Sequence, residues 1–67
     1  MLEMMQEEIR LAHGMLEDMW LDFSYSHDYL TGLQAIYTHA ETLVDHGDYK
    51  SAQYWLNHFW INAGEMA

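Results

Sequence analysis

Apolar residues recur along this chain in alternating steps of three and four, and the pattern appears three times. Leu2, Met5, Ile9, Ala12, Leu16, Met19 and Phe23 form the longest stripe. Such spacing keeps side chains on one face of an α-helix. Residues 2–23 are therefore predicted to form a helix about 30 Å long. Three heptads of this spacing also permit a coiled-coil seam. Met4, Leu11, Met15 and Trp20 lie beside the stripe and widen it. One flank is expected to pack on the rest of the chain and the other to stay partly exposed, where methionines make an adaptable surface. Gly14 costs this helix about 1 kcal/mol against Ala, which points to a close crossing or a kink.

The second stripe is Leu30, Leu33, Tyr37, Ala40 and Val44, widened by Ile36 and Leu43. Between the first two stripes, residues 24–31 are polar and aromatic. Their Ser, Asp and Thr side chains compete with helix for backbone hydrogen bonds, so a loop is expected. Thr31 and Gln34 have the form of a capping box. Asp28 or Ser26 are alternative caps for a helix one turn longer. The helix should end at His46-Gly47, with glycine taking the left-handed conformation and His46 against the negative helix end. Asp48 can cap the next helix. That helix carries the third stripe, Tyr49, Ala52, Leu56, Phe59 and Ala63, with Trp55 and Trp60 on either side and an end near Gly64. A linker this short makes the two helices antiparallel neighbours. Ala40 and Ala52 are small enough to let them approach closely. The fold class is all-α: one domain over residues 1–67, a long N-terminal helix packed on an antiparallel helical hairpin.

Within the hairpin, Ile36, Ala40, Leu43, Gly47-Asp48-Tyr49, Ala52 and Leu56 follow an order seen in a known family. Residues 33–64 resemble a single tetratricopeptide (TPR-like) repeat, which has small and aromatic residues at these places. His39 departs from the family pattern where Leu is expected, and Gly64 departs from it near the usual Pro. The resemblance implies a protein-binding scaffold and no chemistry. Arrays of such repeats need about three copies for stability, and one is present.

Size and charge add constraints. A core in 67 residues supplies about 3–5 kcal/mol of net stability without staples. Cysteine is absent, so neither a disulfide nor a thiolate metal site can add to that. Half the residues (51%) are hydrophobic, more than a three-helix monomer readily hides, so self-association, possible as a homodimer, or a partner groove is expected. Eleven carboxylates against Arg10 and Lys50 give a net charge of −9. That charge disfavours direct binding to nucleic acid, which needs cations facing phosphates, and to anionic membranes. It suits a basic protein partner. It also serves solubility alone. No apolar run approaches the roughly 18 residues of a membrane helix, and Met1-Leu2-Glu3 does not open a signal peptide. A cytoplasmic protein is expected.

Candidate chemistry is sparse. Glu3, Glu7 and Glu17 line up opposite the first stripe, with Glu8, Asp18 and Asp22 at the edges and Arg10 the single cation. A row of like charges costs a helix some stability, and its retention points to use. His13/Glu17, Glu41/Asp45 and Asp45-His46-x-Asp48 bring possible metal ligands together. Neither a Glu-x-x-His pair nor His-Glu-x-x-His occurs. His39 is expected to be partly buried against the hairpin and His58 to lie on the rim of the last helix. Ser24, Ser26 and Ser51 lack a nucleophile elbow, and no glycine-rich phosphate loop exists. No enzyme activity and no cofactor are expected.

Two binding modes remain. In the first, Glu3, Glu7, Glu17, Asp18 and Asp22 bind a basic surface, in the sharpest form as a nucleic-acid mimic that inhibits a nucleic-acid-binding protein. Compact acidic proteins of that kind occur among phage inhibitors, including anti-CRISPR proteins. In the second, Trp20, Tyr25, Trp55 and Trp60, with Tyr54 and the methionines, carry an adaptor or homo-oligomer contact. A metal-binding helical protein is the third alternative.

Overall fold

A computed structural model of the chain describes residues 2–64. These form three helices: α1 (Leu2–Leu21), α2 (His27–Asp45) and α3 (Tyr49–Asn62). The hairpin α2–α3 has the most extensive interface, and α1 packs across it. Short connections make successive helices antiparallel, so α1 and α3 run the same way.

The three stripes meet in one core, as their spacing predicts. α1 contributes Met5, Ala12, Leu16 and Met19. All five residues of the second stripe are buried, together with Ala52, Leu56 and Phe59 of α3. Ile9, Met15, Ile36, Leu43, Tyr49, Trp55, Trp60 and Ala63 pack around this centre. Ala12, Ala40 and Ala52 are fully enclosed. A methyl group at the contact lets two helix backbones come close, and the side chains around it fill the remaining space.

The hairpin turn follows its residues. Gly47 has φ 79°. Its N–H donates to Val44 O at 3.0 Å, and Asp48 N–H donates to Leu43 O at 2.9 Å. These bonds satisfy carbonyls left open at the end of α2, and the positive φ is one a glycine adopts without steric cost. Asp48 caps α3 by accepting from Ser51 N–H at 3.3 Å. Gly64, at φ 84°, follows the last turn of α3.

The structure corrects the sequence at four points. The first helix ends at Leu21, not at residue 23. Asp22 Oδ1 accepts from Ser24 N–H at 2.9 Å, a local turn that competes with a further helical turn. Phe23 consequently leaves the stripe and is 98% exposed. Leu2, at the other end of the stripe, is also exposed. The loop is shorter than 24–31, because Ser26 is the cap of α2 and accepts from Tyr29 N–H at 3.1 Å. Thr31 lies inside the helix, its hydroxyl donating to His27 O at 2.8 Å. Gly14 marks no close crossing, since a Cβ there meets nothing within 4 Å.

These caps give a direct test. Ser26→Ala is expected to destabilise the chain by about 1 kcal/mol, while Thr31→Ala stays within about 0.5 kcal/mol of wild type. Urea midpoints measure both. A lower midpoint for Thr31→Ala than for Ser26→Ala would return the cap to Thr31.

Candidate functional site

The acidic residues singled out from the sequence lie on the surface of α1 and just beyond it. Glu3, Glu7, Glu17 and Asp18 are all exposed. Glu7 accepts two hydrogen bonds from the Arg10 guanidinium, which hold its carboxyl below the usual range. Glu17 Oε1 is 3.3 Å from His13 Nε2. Asp22 is exposed beyond the helix end. The backbone N–H and side chain of Ser24 lower its pKa. Among the described residues these are the only two contacts between a carboxylate and a basic side chain, so Glu3 and Asp18 have no cation beside them.

Glu8, placed by its spacing at the edge of the row, behaves differently. It is half-buried, and its Oε1 accepts from Trp60 Nε1–H at 3.1 Å and from Gln53 Nε2 at 3.4 Å. Gln53 also donates to Asn57 Oδ1 at 3.0 Å. Glu8 thus ties α1 to α3. A carboxylate at the edge of an apolar stripe, opposite a tryptophan on another helix, was the only available signal.

The aromatic candidates are dispersed. Trp20 sits at the end of α1 with its ring edge-on to His27 at 5.6 Å. Tyr25, in the α1–α2 connection, stacks on Tyr29 at 5.9 Å, and the Tyr29 hydroxyl donates to Asn62 O of α3. Trp55 and Trp60 lie on opposite flanks of α3, both half-buried against the core. Trp55 meets His39 of α2 edge-on at 4.9 Å, and Trp60 holds Glu8 of α1. Trp20 and Tyr25 therefore share one end of the bundle, while Trp55 and Trp60 form no common patch with each other. Tyr54 is exposed beside a half-buried His58, their rings 4.6 Å apart. His39, expected to be partly buried against the hairpin, is instead exposed, its contact with Trp55 being edge-on.

Possible metal ligands do not converge: among the described residues no three His, Asp or Glu side chains are grouped to hold one ion. Among the same residues no helix is long and apolar enough to cross a membrane.

One titratable group is strongly perturbed. Tyr37 is buried and donates to Glu41 Oε2 at 2.9 Å. Burial and the neighbouring carboxylate push its pKa from 10.0 up to about 12. The unfolded chain loses this proton near pH 10 and the folded chain keeps it until about pH 12. Its contribution to stability is therefore intact below pH 10 and disappears as the pH rises to 12. Tyr37→Phe is expected to be less stable at neutral pH, by about 1 kcal/mol for the lost hydrogen bond, yet to lose less stability between pH 10 and 12. Denaturant titrations at several alkaline pH values measure the slopes. Parallel slopes would show that Tyr37 does not carry the effect.

No family model matches this chain, and comparison with curated proteins and with solved structures gives no match.

Proposed function

We propose that this protein is a small acidic interaction module that binds a basic surface of a protein partner through the outward face of α1. The observation that carries this proposal is the exposure of Glu3, Glu7, Glu17 and Asp18 along about 23 Å of one helix, with Arg10 its only cation and already paired to Glu7. Like charges along a helix destabilise it slightly. A cationic partner removes that repulsion on binding and draws further attraction from the net charge of −9. The sharpest form is inhibition by charge mimicry, the carboxylates occupying cationic sites that a nucleic-acid-binding protein otherwise presents to phosphates.

Glu3→Lys/Glu7→Lys/Glu17→Lys tests this directly. All three side chains are exposed, so the fold is expected to survive. Tagged wild-type protein should retain a basic protein from lysate at low salt and release it at high salt, where exposed charges are screened. Duplex DNA should also displace the partner if the sites are shared. The triple variant should retain nothing. Undiminished retention by the variant would exclude this face.

A second binding mode draws on the apolar side chains left in water, above all Leu21 and Phe23 at one end of the bundle. A TPR-like adaptor or a homo-oligomer would bind through such groups. Its association would resist high salt and fall on truncation of the aromatic residues.

A further inference from the structure

The face of α1 that carries the carboxylates is not uniformly polar. Met4 is 75% exposed and Leu11 51% exposed, one above the other two turns apart. Met15 continues their line and is half-buried. Glu3, Met4, Glu7, Glu8 and Leu11 border a shallow depression of about 360 Å³. A second depression of about 570 Å³ lies along α1 and α3, bordered by Met5, Tyr49, Gln53, Tyr54 and Asn57, with Lys50 as its cation. Glu8, hydrogen-bonded to Gln53 and Trp60, stands between the two. α1 and α3 share the least extensive of the three helix interfaces, and Met4, Leu11 and Met15 lie on the flank of α1 beside it.

An apolar seam edged by carboxylates differs from a chain of phosphates. A flat cationic cleft built for nucleic acid would satisfy Glu3, Glu7 and Asp18 and leave Met4 and Leu11 without a partner. We infer that the element recognised is a cationic amphipathic helix, its apolar face on Met4, Leu11 and Met15 and its cations on Glu3, Glu7 and Asp18. This inference rests on the proposed binding of a basic partner and specifies its shape. Charge complementarity selects the occupant: an acidic or neutral helix would bury its apolar face here beside Glu3 and Asp18 with no cation to offset them. The line from Met4 to Met15 extends about 17 Å, three helical turns, and a partner segment of about 12 residues covers it. Unbranched methionine side chains adapt to the shape of such a helix.

The probe is a synthetic peptide of lysine and leucine with leucines at helical spacing. Its comparators are a scrambled peptide of the same composition and oligolysine. Each is titrated into the intact protein by calorimetry at low salt, with amide chemical shifts mapping the site. The amphipathic peptide should bind at least about tenfold more tightly than either comparator, and shifts should concentrate on Met4, Glu8, Leu11 and Met15. Met4→Gln/Leu11→Gln should remove that advantage, while Phe23→Gln should leave it intact. Both variants alter exposed side chains, and circular dichroism checks that each is folded. If all three peptides bind equally and the Met4/Leu11 variant binds like wild type, the helix inference fails and the basic-partner proposal stands. If no cationic peptide binds, both fail. If the protein self-associates and Met4→Gln/Leu11→Gln makes it monomeric, a second copy covers the seam, and the cationic helix is overturned.

Discussion

Phe59→Ala is expected to abolish the cooperative thermal transition of this protein. Phe59 is fully buried, the largest such side chain in the core. It lies tilted against Tyr37 at 6.5 Å and edge-on to Trp60 at 5.0 Å, at the junction of the hairpin with the residue that holds Glu8 of α1. Removing a buried phenylalanine costs about 3–5 kcal/mol, from lost transfer energy and the cavity left behind. The whole net stability of a chain this size is about 3–5 kcal/mol. The two quantities match, so the variant has no margin. Phe23→Ala makes the same chemical change at a side chain 98% exposed and should shift stability by less than about 0.5 kcal/mol. Melting curves by far-ultraviolet circular dichroism separate the two. A sharp transition retained in Phe59→Ala would mean that the core does not close where the structure places it.

Ala52→Leu should be nearly as damaging, for the opposite reason. Ala52 and Ala40 are both fully enclosed, within the helix pair that shares the most extensive interface. Extra carbon atoms at such a position force side chains off their rotamers or push the backbones apart, at about 1–3 kcal/mol and occasionally more. Here α1 packs across the same core, so separation of the hairpin also disturbs Leu16 and Met19. Loss of half or more of the net stability is expected, read as a fall in urea midpoint. Gly14→Ala is the matching control: an added Cβ meets nothing within 4 Å, and helix propensity favours Ala by about 1 kcal/mol. An unchanged midpoint in Ala52→Leu would show that the hairpin has slack at that contact.

Placement of the three helices and their buried faces was legible because it depends on local order. Steps of three and four turn a side chain through one revolution of an α-helix, wherever that helix later packs. Leu30, Leu33, Tyr37, Ala40 and Val44 are all buried on this account. Gly47 and Asp48 were equally legible, since a left-handed glycine and an amide-capping carboxylate act within a few bonds of their own backbone. Phe23 shows where this reasoning stops. Its spacing continues the stripe, but spacing counts only while the helix lasts, and Asp22 with Ser24 ends it. At the start of α2 three caps were compatible with the sequence. Ser26 accepts the Tyr29 amide, and the helix it opens carries Tyr29 to the end of α3, where its hydroxyl bonds Asn62.

The residues at the candidate site divide along the same line. Exposure of Glu3, Glu7 and Glu17 opposite the apolar stripe follows from periodicity. The inward role of Glu8, at the edge of that row, does not: it depends on Trp60 and Gln53, more than forty positions away, meeting it across two helices. The dispersal of Trp20, Tyr25, Trp55 and Trp60 is likewise set by which helix each one faces. The sequence by itself determined three amphipathic helices, the hairpin turn, the buried stripes and a strongly acidic surface. Tertiary structure alone decided which flank of α1 meets α3, which carboxylate is drawn inward and where apolar side chains stay in water. The physical reason is that helix formation and capping are short-range, whereas the lateral arrangement of helices is settled by packing and hydrogen bonds between residues that periodicity does not relate.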